Sequence, residues 1–261
     1  MLDEATCAKL ARTLDDARHG RREIEPLHKT FGEFSLEDGY RIQRAGIGLR
    51  VERGETVAGY KMGLTSKAKR DQMNLAMPIY GVLTGAMRIP DGEAFHVARG
   101  IHPRVEPEIA FVTARELREP IELEEAPGAI AAVCTALDVL DSRFTGFKYF
   151  SLPDVVADNA SSSHFVLSDD ARAPDGLDFA NLDMRLLVDG KVVHEAKSSA
   201  ISGNPLLSLV QLVEMLHAHG EELPASTLVL TGAATPAEPV RAGQTIRLEV
   251  QGLAPVTLRC T

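Results

Sequence analysis

The stretch Pro103–Val112, PRVEPEIAFV, decides how this chain is read. Val105, Ile109 and Phe111 alternate with Glu106, Glu108 and Ala110, the period of a β-strand. Both glutamates therefore point to one face, their Cα atoms about 6.6 Å apart at roughly 3.3 Å of rise per residue. On a buried face two unpaired like charges are costly, so either something positive sits between them or the face is wet. On the plainer reading the face is exposed and Pro107, which cannot donate to a ladder, marks an edge or a bulge. A third acid shifts the balance. In CTALDVLDSRF, Asp138 sits between Leu137 and Val139 in another strand-like run. Three carboxylates without histidines at ligand spacing suit a hard divalent ion such as Mg²⁺ or Mn²⁺, which keeps waters or substrate oxygens in its other positions. Asp138 could equally cap a turn or pair with Arg143.

The rest of the composition narrows the class. The 261 residues are 44% hydrophobic and 25% charged, enough for a substantial core. A net charge of −9 argues against nucleic acid and anionic membranes as partners. Cys7, Cys134 and Cys260 lie far apart with no zinc or disulfide spacing, which fits a reducing cytoplasm. The start, MLDEATCAKL, lacks a secretory apolar segment, and no apolar run approaches the ~20 residues of a membrane helix. A soluble cytoplasmic protein is expected.

Along the chain, helical patterns come first. Leu10, Ala11 and Leu14 share a face, and Ser35 with Asp38 resembles a capping box for a helix that Gly54 ends. SKAKRDQM reads as a short helix, with Lys67, Lys69 and Arg70 on its solvated side. From about Val82 the pattern turns to strands, with Asp189-Gly190 as a two-residue hairpin signal. One helix interrupts them, capped by Asn204, with Pro205 at its first position and Gly220 at its end. The fold class is α+β: a helical subdomain over residues 1–58, then a β-rich catalytic domain over 59–261.

Other residues invite chemistry. Lys61, in AGYKMGLTSK, lies beside glycines that permit close backbone approach. It is either a partly desolvated cation aimed at an anionic substrate, a lysine with a lowered pKa for proton transfer, or a snorkelling surface lysine. VADNASSSHFV groups Asp158, Asn159, Ser161, Ser162 and Ser163, for substrate oxygens or as a satisfied turn. LTGAAT, Leu230–Thr235, ends a strand with small residues that let a ligand approach the backbone. His217 and His219 do not share a helix face and make a poor metal pair.

Taken in order, GYKMGLTSKAK, PRVEPEIAFV, ALDVLDSRF, DVVADNASSS and LTGAAT resemble the 2-hydroxypentadienoate hydratase and 4-oxalocrotonate decarboxylase family of the wider fumarylacetoacetate-hydrolase-like group. The resemblance runs from about Gly59 onward and more loosely through the N-terminal helices. It implies a rolled, barrel-like β core, Mg²⁺ or Mn²⁺ held by Glu106, Glu108 and Asp138, no organic cofactor, and Lys61 as the active-site lysine. The family usually has glutamate in the place of Asp138, so one methylene is missing here. Hydratases of the family carry an aspartate in a QPDFG stretch, where this chain has MPIYG with Ile79. An apolar lid over Asp71–Tyr80, rich in Leu75, Met77 and Ile79, suits loss of a carboxylate, because it excludes water and solvates the departing charge poorly. The implied activity is decarboxylation of 2-oxohex-3-enedioate to 2-hydroxypenta-2,4-dienoate in aromatic meta-cleavage. Ser161 and Thr231 would then touch substrate oxygens and Arg143 would supply a charge. The implied partners are a small 2-oxo dicarboxylic acid and the pathway hydratase, and a homo-oligomer is allowed. Hydration of 2-hydroxypentadienoate, hydrolysis of an acylpyruvate and a non-catalytic role beside a hydratase remain alternatives.

Overall fold

Short side-chain oxygens set the starts of the helices. The structure, a computed structural model, describes residues 1–66, 77–148 and 151–261. Asp3 caps α1 (Glu4–Gly20) by accepting from the Thr6 N–H, and Leu10, Ala11 and Leu14 form its buried stripe. One turn, α2 (Leu27–Thr30), leads to α3 (Leu36–Glu52). The capping box is present: Ser35 and Asp38 each accept from the other's backbone N–H, and Gly54 follows the last turn at φ +91°. α1 and α3 share an apolar cluster with Phe144 and Ala157. The helix expected in SKAKRDQM, with Lys67, Lys69 and Arg70, and the lid residue Leu75 fall on 67–76, outside the described residues.

β-structure starts earlier than the pattern change near Val82 suggests. β1 (Val57–Gly63) follows the helices directly, then β2 (Ile79–Thr84). Glycine hides this first strand from sequence reading, because Gly59 and Gly63 carry no side chain to show alternation. Gly59 is required there, since a Cβ would stand 1.9 Å from the Leu228 carbonyl oxygen. The remaining order is β3 (Arg88–Ile89), β4 (Ala94–Phe95), β5 (Arg104–Thr113), β6 (Ile130–Leu140), α4 (Leu152–Ala157) and β7 (Ser162–Leu167). Then come β8 (Asp183–Val188), β9 (Lys191–Lys197), α5 (Pro205–Ala218), β10 (Leu228–Leu230), β11 (Glu238–Pro239), β12 (Thr245–Val250) and β13 (Val256–Cys260). The architecture is α+β, as the sequence indicates.

One sheet runs β2-β1-β10-β5-β6-β7-β3, with β11 also on β5, and the other β4-β13-β12-β8-β9. Asp189 and Gly190 close the β8–β9 hairpin, both at positive φ (50° and 77°) as a type I′ turn requires. Asn204 caps α5, with Pro205 at its first position and Gly220 at φ +72° past its end. Val105, Ile109 and Phe111 on one face of β5 join the main core with Leu209, Leu212 and Leu216 of α5. β5 is an interior strand, which corrects the edge reading of Pro107. β10 pairs β5 as far as Ala110 and β11 resumes at Val105, so Pro107 faces the gap between them, where only its carbonyl is used, by Ala234 N–H. All three cysteines are buried and unpaired. Among the described residues no helix is long and apolar enough to cross a membrane.

Candidate metal centre

The second face of β5 carries the charge. Register sets Glu106 opposite Asp138 and Glu108 opposite Ala136, so the three carboxylates project from neighbouring strands to one side. Each offers an oxygen within 4.8 Å of the others. Glu108 and Asp138 are 0% exposed, which rules out the exposed-face reading. Lys61, 2% exposed on β1, faces them and ion-pairs with Asp138 Oδ2. The alternative pairing of Asp138 with Arg143 does not occur; Arg143 pairs with Asp158.

Charge balance defines what this site can hold. Among the described residues one ammonium, Lys61, stands against three carboxylates in a place where an unpaired charge is costly. Burial opposes the charge on Lys61, yet Asp138, Glu106 and Glu108 outweigh it and hold its ammonium above the ordinary lysine range. With no cation at the trio, these anions favour the charged reading of Lys61 over the lowered-pKa one. Burial, then repulsion from Asp138, pushes the Glu108 carboxyl well above its ordinary range against the pull of Lys61. Burial likewise raises Asp138 against Lys61. Glu108 Oε2 accepts the Gly232 N–H at 2.7 Å, while Glu108 Oε1 and Asp138 Oδ1 are buried without hydrogen-bond partners among the described residues. Orphaned carboxylate oxygens, all hard donors, converging on one point fit a divalent cation of the Mg²⁺ or Mn²⁺ type.

The backbone around the trio is shaped for close approach. Lys61 Nζ also donates to the Ala160 carbonyl at 3.3 Å. That carbonyl lies in a turn where Asn159, Ala160 and Ser161 all have positive φ, at 52°, 50° and 57°. Gly81 faces Lys61 across the β1–β2 pair, and a Cβ there would stand 2.7 Å from the Asn159 carbonyl oxygen. Ile79 is 2% exposed and by strand alternation shares the face of Gly81. Ser161 is buried next to Ala160. Thr231 Oγ1 donates to the Ile109 carbonyl at 2.8 Å, beside the Gly232 N–H that meets Glu108. Arg143 is turned to Asp158 and to the carbonyls of Asp141, Asp158 and Ser162, so it buttresses the turn from behind. Sequence reading marked the LTGAAT segment that holds Gly232 but passed over Gly81 and the Ala160 carbonyl, because a backbone carbonyl contact leaves no residue-type signal.

Residues 53–261 match the family model described as fumarylacetoacetate (FAA) hydrolase, C-terminal. A 4-oxalocrotonate decarboxylase of Pseudomonas sp is 39% identical over 254 residues, covering 97% of this chain and 98% of the relative. A 2-keto-4-pentenoate hydratase of Burkholderia vietnamiensis is 36% identical over 259 residues, 98% of each chain. The solved structure of 4-oxalocrotonate decarboxylase from Pseudomonas putida G7, complexed with magnesium and adipate, matches with a TM-score of 0.96 at 34% identity. That match covers 100% of this chain and 99% of the other. Through a family match over most of its length and relatives matched almost throughout, this chain belongs to the fumarylacetoacetate hydrolase family, in the branch of 4-oxalocrotonate decarboxylases and 2-keto-4-pentenoate hydratases.

Proposed function

We propose that this protein is a divalent-metal-dependent carboxy-lyase that converts 2-oxohex-3-enedioate to 2-hydroxypenta-2,4-dienoate and CO₂. The observation that carries this reading is the trio Glu106, Glu108 and Asp138, the last two fully buried, facing Lys61 in a chain 39% identical to a 4-oxalocrotonate decarboxylase. Magnesium in the Pseudomonas putida G7 relative supports Mg²⁺, and Mn²⁺ meets the same oxygen preference. Glu106, Glu108 and Asp138 would hold the ion, which when bound supplies Lewis-acid stabilisation of negative charge on substrate oxygens.

The substrate's distal carboxylate is a vinylogue of a β-keto acid's carboxylate. When its C5–C6 bond breaks, the electron pair moves through the alkene into the 2-oxo group, and a proton on that oxygen completes the dienol. The substrate supplies its own electron sink, so no organic cofactor is required. Lys61, paired with Asp138, orients the substrate anion and stabilises the charge that develops on the oxygen. Ile79 keeps water from the departing carboxylate. Ser161 contacts a substrate oxygen. The Thr231 hydroxyl is committed to Ile109 and Arg143 to Asp158, so both act here as supports of the site. Association with the hydratase that consumes the dienol, self-association and a cytoplasmic setting belong to the same reading.

An ultraviolet assay with 2-oxohex-3-enedioate, in Mg²⁺ and then in EDTA, with CO₂ followed in parallel, tests the proposal. Metal-dependent CO₂ release with accumulation of the dienol is expected. Absence of CO₂, with consumption of 2-hydroxypentadienoate to 4-hydroxy-2-oxopentanoate by the same sample, would make the protein a hydratase.

A further inference from the structure

Away from the carboxylate centre, a second cavity of about 290 Å³ opens where α1 and α3 meet the ends of β6 and β7. It gathers positive charge in a chain whose net charge is −9. Arg18 and Arg50 reach it from the two helices, Arg21 from just past α1, and Arg99 from the turn before β5. None of Lys61, Glu106, Glu108 and Asp138 lines it. His164 lines it as well, and its register partner is Val139 while that of Asp138 is Phe165, so its ring leaves the sheet on the face opposite the carboxylates.

The acids nearby do not balance these guanidiniums. Among the described residues two carboxylates line the cavity, and both are engaged. Glu55 accepts from Arg50 Nε at 2.9 Å and from the Thr84 hydroxyl. Asp141 accepts the backbone N–H groups of Ile101 and His102 at 2.9 and 2.8 Å. Arg18 is held by Asp15 at 2.9 Å, but Asp15 is shared with Arg53, which binds both its oxygens. Among the described residues, neither Arg21 nor Arg99 has a carboxylate within 4.0 Å. Both are exposed at the rim, and Arg21 has only a 3.4 Å bond to the Ala98 carbonyl. His164, half-buried in the lining, senses the excess. Burial, then Arg50, Arg99 and Arg18, hold its imidazole down to about 4. At neutral pH it is an uncharged ring, able to donate to an anion without adding to the crowding of cations.

We propose that this cavity is a second, non-catalytic binding site for a small multivalent oxyanion, inorganic phosphate or a short dicarboxylate, held by Arg18, Arg21, Arg50 and Arg99. Guanidinium forks suit oxyanions because each presents paired N–H donors in a plane that matches two oxygens. Four of them, two from α1 and its C-cap and one each from α3 and the turn before β5, would surround an anion that bridges the N-terminal helices to the sheet.

Isothermal titration calorimetry of the whole protein, stripped of metal on a chelating resin and kept in an EDTA-free buffer of low ionic strength, tests this, with inorganic phosphate in one arm and succinate in the other. Arg99→Gln, Arg21→Gln and Glu108→Gln serve as variants; both arginines are exposed, so their loss strands no buried charge. The expected result is one site per chain, with affinity lowered about tenfold in each arginine variant, weakened by added salt, and unchanged in Glu108→Gln. The tighter arm identifies the ligand source. Binding lost in Glu108→Gln but intact in both arginine variants would place the anion at the carboxylate centre and overturn the proposal. Absence of heat in both arms would overturn it too. So would a change of oligomeric size in Arg99→Gln with no change in anion affinity, because the arginines would then be a subunit contact.

Discussion

Lys61 and His164 show opposite outcomes of burial at single residues. Burial alone would discharge a lysine, but three carboxylates around Lys61 reverse the sign and keep it cationic. His164 has cations for neighbours, so burial and repulsion act together and lower it to about 4. An unfolded histidine titrates near 6.5, so between these values the unfolded chain binds a proton that the folded chain refuses. Stability from this group is therefore complete above about 6.5 and is lost as pH falls toward about 4. Urea midpoints measured from about pH 7.5 down to about 4.5 should fall more steeply for the natural protein than for His164→Gln. Parallel curves would assign the acid sensitivity to other groups.

Among elements, the turn between α4 and β7 does most to position the site. Three successive non-glycine residues at positive φ cost about 1 kcal/mol or more each, and they persist only because neighbours over-determine them. Arg143 grips Asp158 at the start of the turn. Asn159 imitates a strand: its Oδ1 accepts the Val82 N–H and its Nδ2 donates to the Val82 carbonyl, both at 2.8 Å. Gly81 lets the turn lie directly on β2, and Ala160 then presents its carbonyl to Lys61. In Asn159→Asp the acceptor survives, but the donor becomes an oxygen facing the Val82 carbonyl. We expect kcat for the decarboxylation to fall about tenfold or more, with the Mg²⁺ concentration for half-maximal rate little changed. Steady-state kinetics across a Mg²⁺ series measures both. An unchanged kcat would separate the turn from the function of Lys61.

For the molecule as a whole, the carboxylate trio is a local liability that a bound cation would relieve. β5 and β6 carry three acids against one lysine on β1, so a metal held by the proposed ligands would couple stability to its occupancy. Mg²⁺ at a hundredfold over its Kd should stabilise the fold by about 2.7 kcal/mol, visible as a Tm several degrees higher than in EDTA. Glu108→Gln removes one of the repelling charges, so its Tm in EDTA should equal or exceed that of the natural protein, and its response to Mg²⁺ should vanish. Thermal scans of both proteins in both buffers decide this. A Mg²⁺ response retained in Glu108→Gln would move the metal away from the trio.

What the sequence determined by itself is what acts within a few residues. The Ser35–Asp38 box, the Asn204-Pro205 helix start, the Asp189-Gly190 turn and the alternation of PRVEPEIAFV each place an element through local hydrogen bonds or pleat geometry, and together they yield the α+β class. The same alternation brings Glu106 and Glu108 to one face, and the run around Asp138 supplies a third acid. β1 escaped that reading because its glycines, needed for close strand approach, carry no pattern. Only the tertiary structure decided which charge meets which. Asp138 faces Lys61 and not Arg143, Arg143 faces Asp158, and Glu108 takes the N–H of Gly232. These pairings depend on strand register and on a turn packed over β2, which are set by the burial of the whole core and by no neighbouring residue in the chain.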